Sequence, residues 1–197
     1  YSAQSGVASS IGLSDSNFLG SGNKASIDIT ASDKSFLFDA TYNKFYLGNY
    51  LIDNKYRIYN NQDNLKSTYG YNRDSYGLEF SLKLPQSYDI FKEEYYTIGI
   101  GYEGSNTYDL TSTVSTSVTQ NSGKSNNIVL TTAYINDSTN QTFNPTLGSR
   151  HSIFFNLSPS SISDDDYVKI TTNNNYYFKR KNTNNSYFML SSLGLAS

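Results

Sequence analysis

"KASIDITASDKSFLFDATY", residues 24–42, decides the fold class. In an extended strand successive side chains point to opposite faces, so a chain that alternates apolar and polar residues makes one dry face and one wet face. Here Ala25, Ile27, Ile29 and Ala31 oppose Lys24, Ser26, Asp28 and Thr30. After "SDKS", which has the length and polarity of a tight hairpin, Phe36, Phe38, Ala40 and Tyr42 oppose Leu37, Asp39 and Thr41. Two antiparallel strands with matched apolar faces follow.

The same period recurs along the chain. Tyr46, Gly48, Tyr50, Ile52, Tyr56 and Ile58 keep one parity and predict a single long strand. Tyr76, Leu78, Phe80, Leu82 and Leu84 oppose Gly77, Glu79, Ser81 and Lys83, and Tyr96, Ile98, Ile100 and Tyr102 oppose Thr97, Gly99, Gly101 and Glu103. Further rows are Ile128, Leu130, Thr132 and Tyr134, then Ile153, Phe155 and Leu157, then Val168 to Phe178, with Phe154 and Tyr177 on the opposite parity. The count is about ten strands, and no apolar stripe of helical period competes with them.

Composition supports strands and turns. Of the 197 residues only 37% are hydrophobic, yet 19 are Tyr and 11 Phe, types that favour strands. Fifteen basic residues against 17 acidic ones give a net charge of −2, and no basic block marks nucleic acid or an anionic headgroup as the main partner. There is no Cys, hence no disulfide scaffold or thiolate metal site. No apolar run is long enough for a membrane helix, although a spanning barrel needs only alternation. Tyr1 without a following signal peptide, and the apolar alternation at the other end, lead us to expect a piece of a longer protein.

Two architectures use such strands. A sandwich buries the apolar faces between two sheets, whereas a barrel in lipid turns them outward and keeps Asp28, Asp39, Lys55, Glu79, Lys83, Glu103 and Lys169 in a wet lumen. Burying a Leu or Phe is worth roughly 1.5–3 kcal/mol in either setting, so burial energy does not choose. Rows of about nine to eleven residues match a tilted bilayer crossing better than the soluble mode of about five to six. Aromatic residues at the row ends fit an interfacial girdle. The joints near 60–74 and 104–126 read as long and polar and those near 43–45 and 85–94 as short, the loop asymmetry of an up-and-down membrane barrel. The lipid-facing set on this reading is Ile27, Ile29, Phe36, Phe38, Leu78, Phe80, Leu82, Ile98, Ile100, Leu130 and Phe155.

Two motifs carry a resemblance. In "SGVASSIGLSDSNFLGSGN", residues 5–23, the run Asn17, Phe18, Leu19, Gly20, Ser21, Gly22 is similar to the Asn-aromatic-Leu-Gly-x-Gly turn that ends the second barrel strand of BamA-like outer-membrane-protein assembly factors, the bacterial surface antigen barrel family. Pro145, Thr146, Gly148 and Arg150 resemble that family's aromatic-Pro-Thr-x-Gly-x-Arg periplasmic turn, with Asn144 placed before the proline and the aromatic Phe143 one position earlier. Glycines permit the tight reversals and proline fixes φ, so most of these residues are turn chemistry. Arg150 is given one further role, facing the lumen and pairing with a carboxylate.

The resemblance covers essentially the whole chain. It implies an all-β, antiparallel transmembrane up-and-down β-barrel in which residues 1–197 form part of one domain, with about ten of an expected sixteen or so strands present. The family's first and last strands, its lumen-entering loop and its periplasmic domains would lie outside the chain. It further implies a bacterial outer-membrane protein that is not an enzyme and needs no cofactor. Such a protein folds and inserts other β-barrels, with nascent outer-membrane proteins as clients and with outer-membrane lipid and accessory lipoproteins as partners. Related secretion and translocation barrels share these turns, and a porin-like passive channel is the rival from another class.

Other candidate sites are weak. His151 is the single histidine, which forbids a multi-histidine metal site and leaves a Ser-His-Asp triad without support. Asp164, Asp165 and Asp166 lack the ligand spacing of a calcium loop and read as an exposed hairpin. Gly99-Ile100-Gly101 sits inside a strand and precedes no helix, so it is no phosphate loop.

Overall fold

The computed structural model describes residues 7–86, 92–141, 144–179 and 186–196. Among the described residues ten strands form one sheet in chain order, each antiparallel to its neighbours. They are β1 (Ala8–Asp15), β2 (Lys24–Ser32), β3 (Ser35–Lys44), β4 (Asp53–Asn64), β5 (Asn72–Pro85), β6 (Glu93–Tyr108), β7 (Gly123–Asp137), β8 (Gly148–Ser158), β9 (Tyr167–Lys179) and β10 (Ser186–Ala196). Two short helices, α1 (Lys66–Tyr69) and α2 (Thr116–Gln120), sit in connections. No helix among the described residues is long and apolar enough to cross a membrane. The all-β antiparallel expectation and the strand count hold.

The β2–β3 hairpin turns through residues 33–34 alone. The Ser32 hydroxyl oxygen accepts from the backbone amides of Lys34 at 3.2 Å and Ser35 at 2.9 Å, so the serine replaces two bonds that the reversal would otherwise leave unmade. This fixes the register Ile29 opposite Phe38 and Asp28 opposite Asp39.

Three expectations need correction. The strand predicted from Tyr46 to Ile58 starts only at Asp53 and runs on to Asn64; residues 45–52 form a separate turn closed by an isolated bridge between Leu47 and Tyr50. Period two was misleading because Gly48-Asn49 is a reversal that happens to preserve parity. The joint read over 60–74 shrinks to 65–71 and that over 104–126 to 109–122, since β4 and β6 extend into their polar ends. Among the described residues the expected contrast of long and short ends is not seen. One end carries connections 33–34, 65–71, 109–122 and 159–166, and the other carries 16–23, 45–52 and 138–147, so that the longest and the shortest of these share one end. Part of the joint expected at 85–94 lies outside the described residues.

The sheet has almost no apolar interior. Ala133, at 9% exposure, is the one buried hydrophobic residue among those described, while Asn54, Asn127 and Ser158 are buried polar groups. A soluble sandwich of this size would enclose its isoleucines and phenylalanines. Here Ile58, Leu78, Ile98 and Ile100 stay about half exposed. Polar side chains of β4, β5, β7, β8 and β9, including Lys55, Glu79, Thr131, Asn156 and Tyr167, line one hollow of about 330 Å³. Strands that far apart share a hollow only if the sheet curls with its polar face inside.

Candidate functional site: a sheet with one apolar and one polar face

Residues directly opposite each other in an antiparallel pair share a face. The pairs Ile29–Phe38, Ala40–Ile58, Ile58–Leu78, Phe80–Ile100, Ile100–Leu130, Thr132–Phe155 and Phe155–Ile170 therefore continue one apolar surface from β2 to β9. Ile27, Ile29, Phe36, Phe38, Leu78, Phe80, Leu82, Ile98, Ile100, Leu130 and Phe155 all lie on it. Aromatic residues gather toward its two margins. Tyr42 and Tyr56 lie 6.2 Å apart and Tyr96 and Tyr134 4.9 Å apart near the end carrying the 45–52 turn, and Tyr76 and Tyr102 lie 6.2 Å apart near the other. On β4 the row narrows to Tyr56 and Ile58, flanked by Asn54 and Asn60.

The opposite face is held by charge. Arg57 Nε donates to Asp39 Oδ2 at 2.7 Å, and its Nη1 lies 3.1 Å from Glu79 Oε1, so one guanidinium ties β3, β4 and β5. The same guanidinium stacks 4.7 Å over the Tyr59 ring, whose hydroxyl donates to Glu103 Oε2 at 3.2 Å. Arg73 completes the row 3.8 Å from Glu103. Gly77, opposite Tyr59, leaves room for that ring; a Cβ there would lie 2.6 Å from its atoms. A fixed planar fork suits such a bridge better than a lysine would. Asp28, Lys55, Lys83 and Lys169 share this face by register.

This arrangement, with an exposed apolar face and an ionic opposite face, inverts a soluble protein and matches the wall of a barrel set in hydrocarbon. The Omp85 superfamily domain matches residues 17–195. The chain belongs to the Omp85 superfamily. Among solved structures, this Omp85 chain resembles the crystal structure of BamA from Haemophilus ducreyi lacking POTRA domains 1-3, with a TM-score of 0.78 and 22% sequence identity. The likeness covers 100% of this chain and 39% of that one, so the chain spans well under half the length of that relative. No curated protein matches it.

Both turn motifs of the Omp85 chain fall at the same end of the sheet. Between β1 and β2, Asn17 Oδ1 accepts from the Gly22 amide at 2.7 Å, and Gly20 and Gly22 take positive φ of 71° and 72°. Phe18 meets the Tyr42 ring edge-on at 6.3 Å, whereas Leu19 has φ 53° and is 87% exposed. Between β7 and β8, Asn140 Oδ1 accepts from the amides of Thr146 and Leu147, both at 3.0 Å. Gln141 Nε2 donates to the carbonyl of Asn144 at 2.6 Å, just before Pro145. Gly148 opens β8 at φ 102°, where a Cβ would strike the Ser138 carbonyl oxygen. Arg150 Nε donates to Asp137 Oδ2 at 2.6 Å on the polar face, the carboxylate partnership expected of it. Phe143 lies outside the described residues.

The weaker candidates resolve into structure. His151 stands on the apolar face with Nδ1 2.9 Å from Asn174 Oδ1 and its ring against Tyr176. No group of metal-ligating side chains occurs among the described residues. The acidic run is a dock that sequence reading missed. β8 pairs with β7 only as far as Leu130, and beyond that point Ser163, Asp164 and Asp165 satisfy the β7 edge. Asp164 Oδ2 accepts from the Asn126 amide at 2.7 Å, Ser163 Oγ from the Ile128 amide at 2.9 Å, and Asp165 Oδ2 from Asn127 Nδ2 at 2.7 Å. Hydrogen bonds from Ser125 and Asn127 hold the Asp165 carboxyl below its usual range. Nothing local in "SDDD" announces a partner some 38 residues upstream.

Proposed function

We propose that residues 1–197 form part of the transmembrane β-barrel of an assembly factor that folds and inserts other β-barrel proteins into the bacterial outer membrane. The observation that carries this reading is the family match over residues 17–195 on a sheet whose apolar side faces out. In it the apolar face meets lipid and the ionic face lines a wet lumen, the end bearing both turn motifs points to the periplasm, and the rest of the barrel closes the wall. Clients are nascent outer-membrane strands, which pair with an exposed strand edge because unpaired N–H and C=O groups template a further strand. Periplasmic domains ahead of the barrel deliver them, and accessory lipoproteins are further partners. The protein makes no covalent change in its client and needs no cofactor, and the charge balance argues against nucleic acid as a main partner.

The test uses the whole protein reconstituted in vesicles of phosphatidylethanolamine and phosphatidylglycerol, to which a urea-unfolded outer-membrane barrel is added. Assembly activity speeds conversion of the client to its heat-modifiable folded form. A related secretion barrel would leave client folding unchanged while exporting one passenger. A passive channel would leave it unchanged while passing small solutes in a vesicle-swelling assay. Either result overturns the assembly reading.

A further inference from the structure

Residues 45–52 read Phe-Tyr-Leu-Gly-Asn-Tyr-Leu-Ile, eight positions without a charge in a chain that is otherwise highly polar. They add nothing to the sheet. The Leu47 and Tyr50 amides and carbonyls bond to each other at 3.0 and 3.2 Å, so the segment closes on itself as a knob beyond the ends of β3 and β4. Tyr46, Leu47, Tyr50 and Leu51 project from it at 56, 48, 74 and 45% exposure. The knob is tied to the neighbouring turn through Asn23, which accepts from the Phe45 amide at 3.4 Å and donates to the Tyr42 hydroxyl at 3.0 Å. That turn presents Leu19, almost wholly exposed and held in a left-handed conformation that leucine rarely adopts. Two adjacent turns at one end of the sheet thus expose large apolar side chains with no internal use.

We propose that the 45–52 knob and Leu19 form an interfacial anchor that sits among the lipid headgroups and upper acyl chains of the leaflet at this end of the barrel. The proposal rests on the reading that the apolar face meets lipid. Three observations choose lipid over a protein partner. The two turns continue the apolar face, because Phe18 packs on Tyr42 and Tyr42 on Tyr56. Along β3 that face reads Phe36, Phe38, Ala40 and Tyr42, so its apolar row ends on an aromatic at the end that carries the knob. The knob itself mixes leucines with tyrosines, whose rings accept hydrocarbon while their hydroxyls stay wet, and none of its eight residues is charged.

The test uses the whole protein in a cysteine-free background, with one cysteine introduced as Leu47→Cys or Leu19→Cys and labelled with an environment-sensitive nitrobenzoxadiazole. It is reconstituted in phosphatidylethanolamine–phosphatidylglycerol vesicles with and without phosphatidylcholine carrying a doxyl quencher near the headgroup. Blue-shifted emission that the shallow quencher removes is the expected result. Water-like emission overturns the proposal, and so does blue-shifted emission that the quencher leaves intact, which would mean protein covers the site. A companion label at Ile98→Cys with a deep doxyl quencher separates the two levels. If that label also goes unquenched, the lipid-facing reading has failed; if it alone is quenched, only the anchor has.

Discussion

Arg57 donates to Asp39 across the β3–β4 pair at 2.7 Å, and Asp39 in turn lies opposite Asp28 on β2. Two carboxylates on adjacent strands would repel each other, so the guanidinium that also reaches Glu79 makes this stretch of wall compatible with so many acids. Replacing Arg57 by Ala removes bonds to two charged groups and leaves the acids uncompensated. A loss of about 1–2 kcal/mol follows, scaled down because the site is wet rather than sealed. Arg57→Lys keeps the charge but not the fork and should fall between. Urea unfolding in detergent micelles measures both; no change in midpoint for the alanine variant would contradict a structural role.

Parity along β6 and β7 makes a sharper claim. Arg substituted at Ile98 or Ile100 should cost about 2–4 kcal/mol if these positions meet the bilayer midplane, while Arg at Thr131 on the polar face should cost far less. Gly99 is a poor control despite its parity, because a Cβ there would lie 2.6 Å from Thr131 Oγ1 and 3.0 Å from the Phe80 carbonyl. Folding yield into vesicles reads the difference. Equal penalties on both faces would remove the basis for an outward apolar side.

Where local chemistry repeats, the chain is easy to read. The Ile27–Ile29 and Phe36–Phe38 rows needed only alternation, and Ser32 closes their hairpin within four residues. Reading failed at 45–52 for a physical reason: the Gly48-Asn49 reversal conserves the parity of Tyr46 and Tyr50, so a knob imitates a strand. The Gly-Asn dipeptide between apolar residues was the available signal. The ionic row was partly legible, since Asp39, Glu79 and Glu103 were placed on the wet side, but Arg57 as their bridge depends on register between strands. Arg150 with Asp137 was anticipated in kind and fixed only by the β7–β8 pairing. The docking of Ser163 to Asp165 on β7 is a long-range contact that no period encodes.

The β7–β8 turn should depend on Asn140 more than on its proline. Asn140→Ala deletes the acceptor for two backbone amides and the donor to Thr146 Oγ1, a loss of about 1–2 kcal/mol if water restores part of it. Gly148→Ala meets both positive φ and the Ser138 carbonyl, and should cost at least about 1–3 kcal/mol. Unfolding midpoints rank the two. A Gly148→Ala variant as stable as the parent would mean that the turn relaxes without cost.

Acid should release the 159–166 connection from β7 before it unfolds the sheet. Asp165 accepts from Ser125 and Asn127 while ionised, and these bonds hold its carboxyl below the ordinary range. A depressed acid group contributes stability that is complete above its unfolded value, near about 3.9, and that disappears as pH falls through the lower folded value. Neutral conditions therefore leave the dock intact, and protonation at strongly acid pH should free it. The backbone amide resonances of Asp165 and Asn126 should move together with one apparent midpoint below about 3.9, while amides in the β5–β6 pairing hold still. Asp165→Asn should remove that step and leave the dock weakened at every pH. A midpoint above the ordinary carboxylate range would show that burial outweighs the two hydrogen bonds, reversing the sign assigned to this loop.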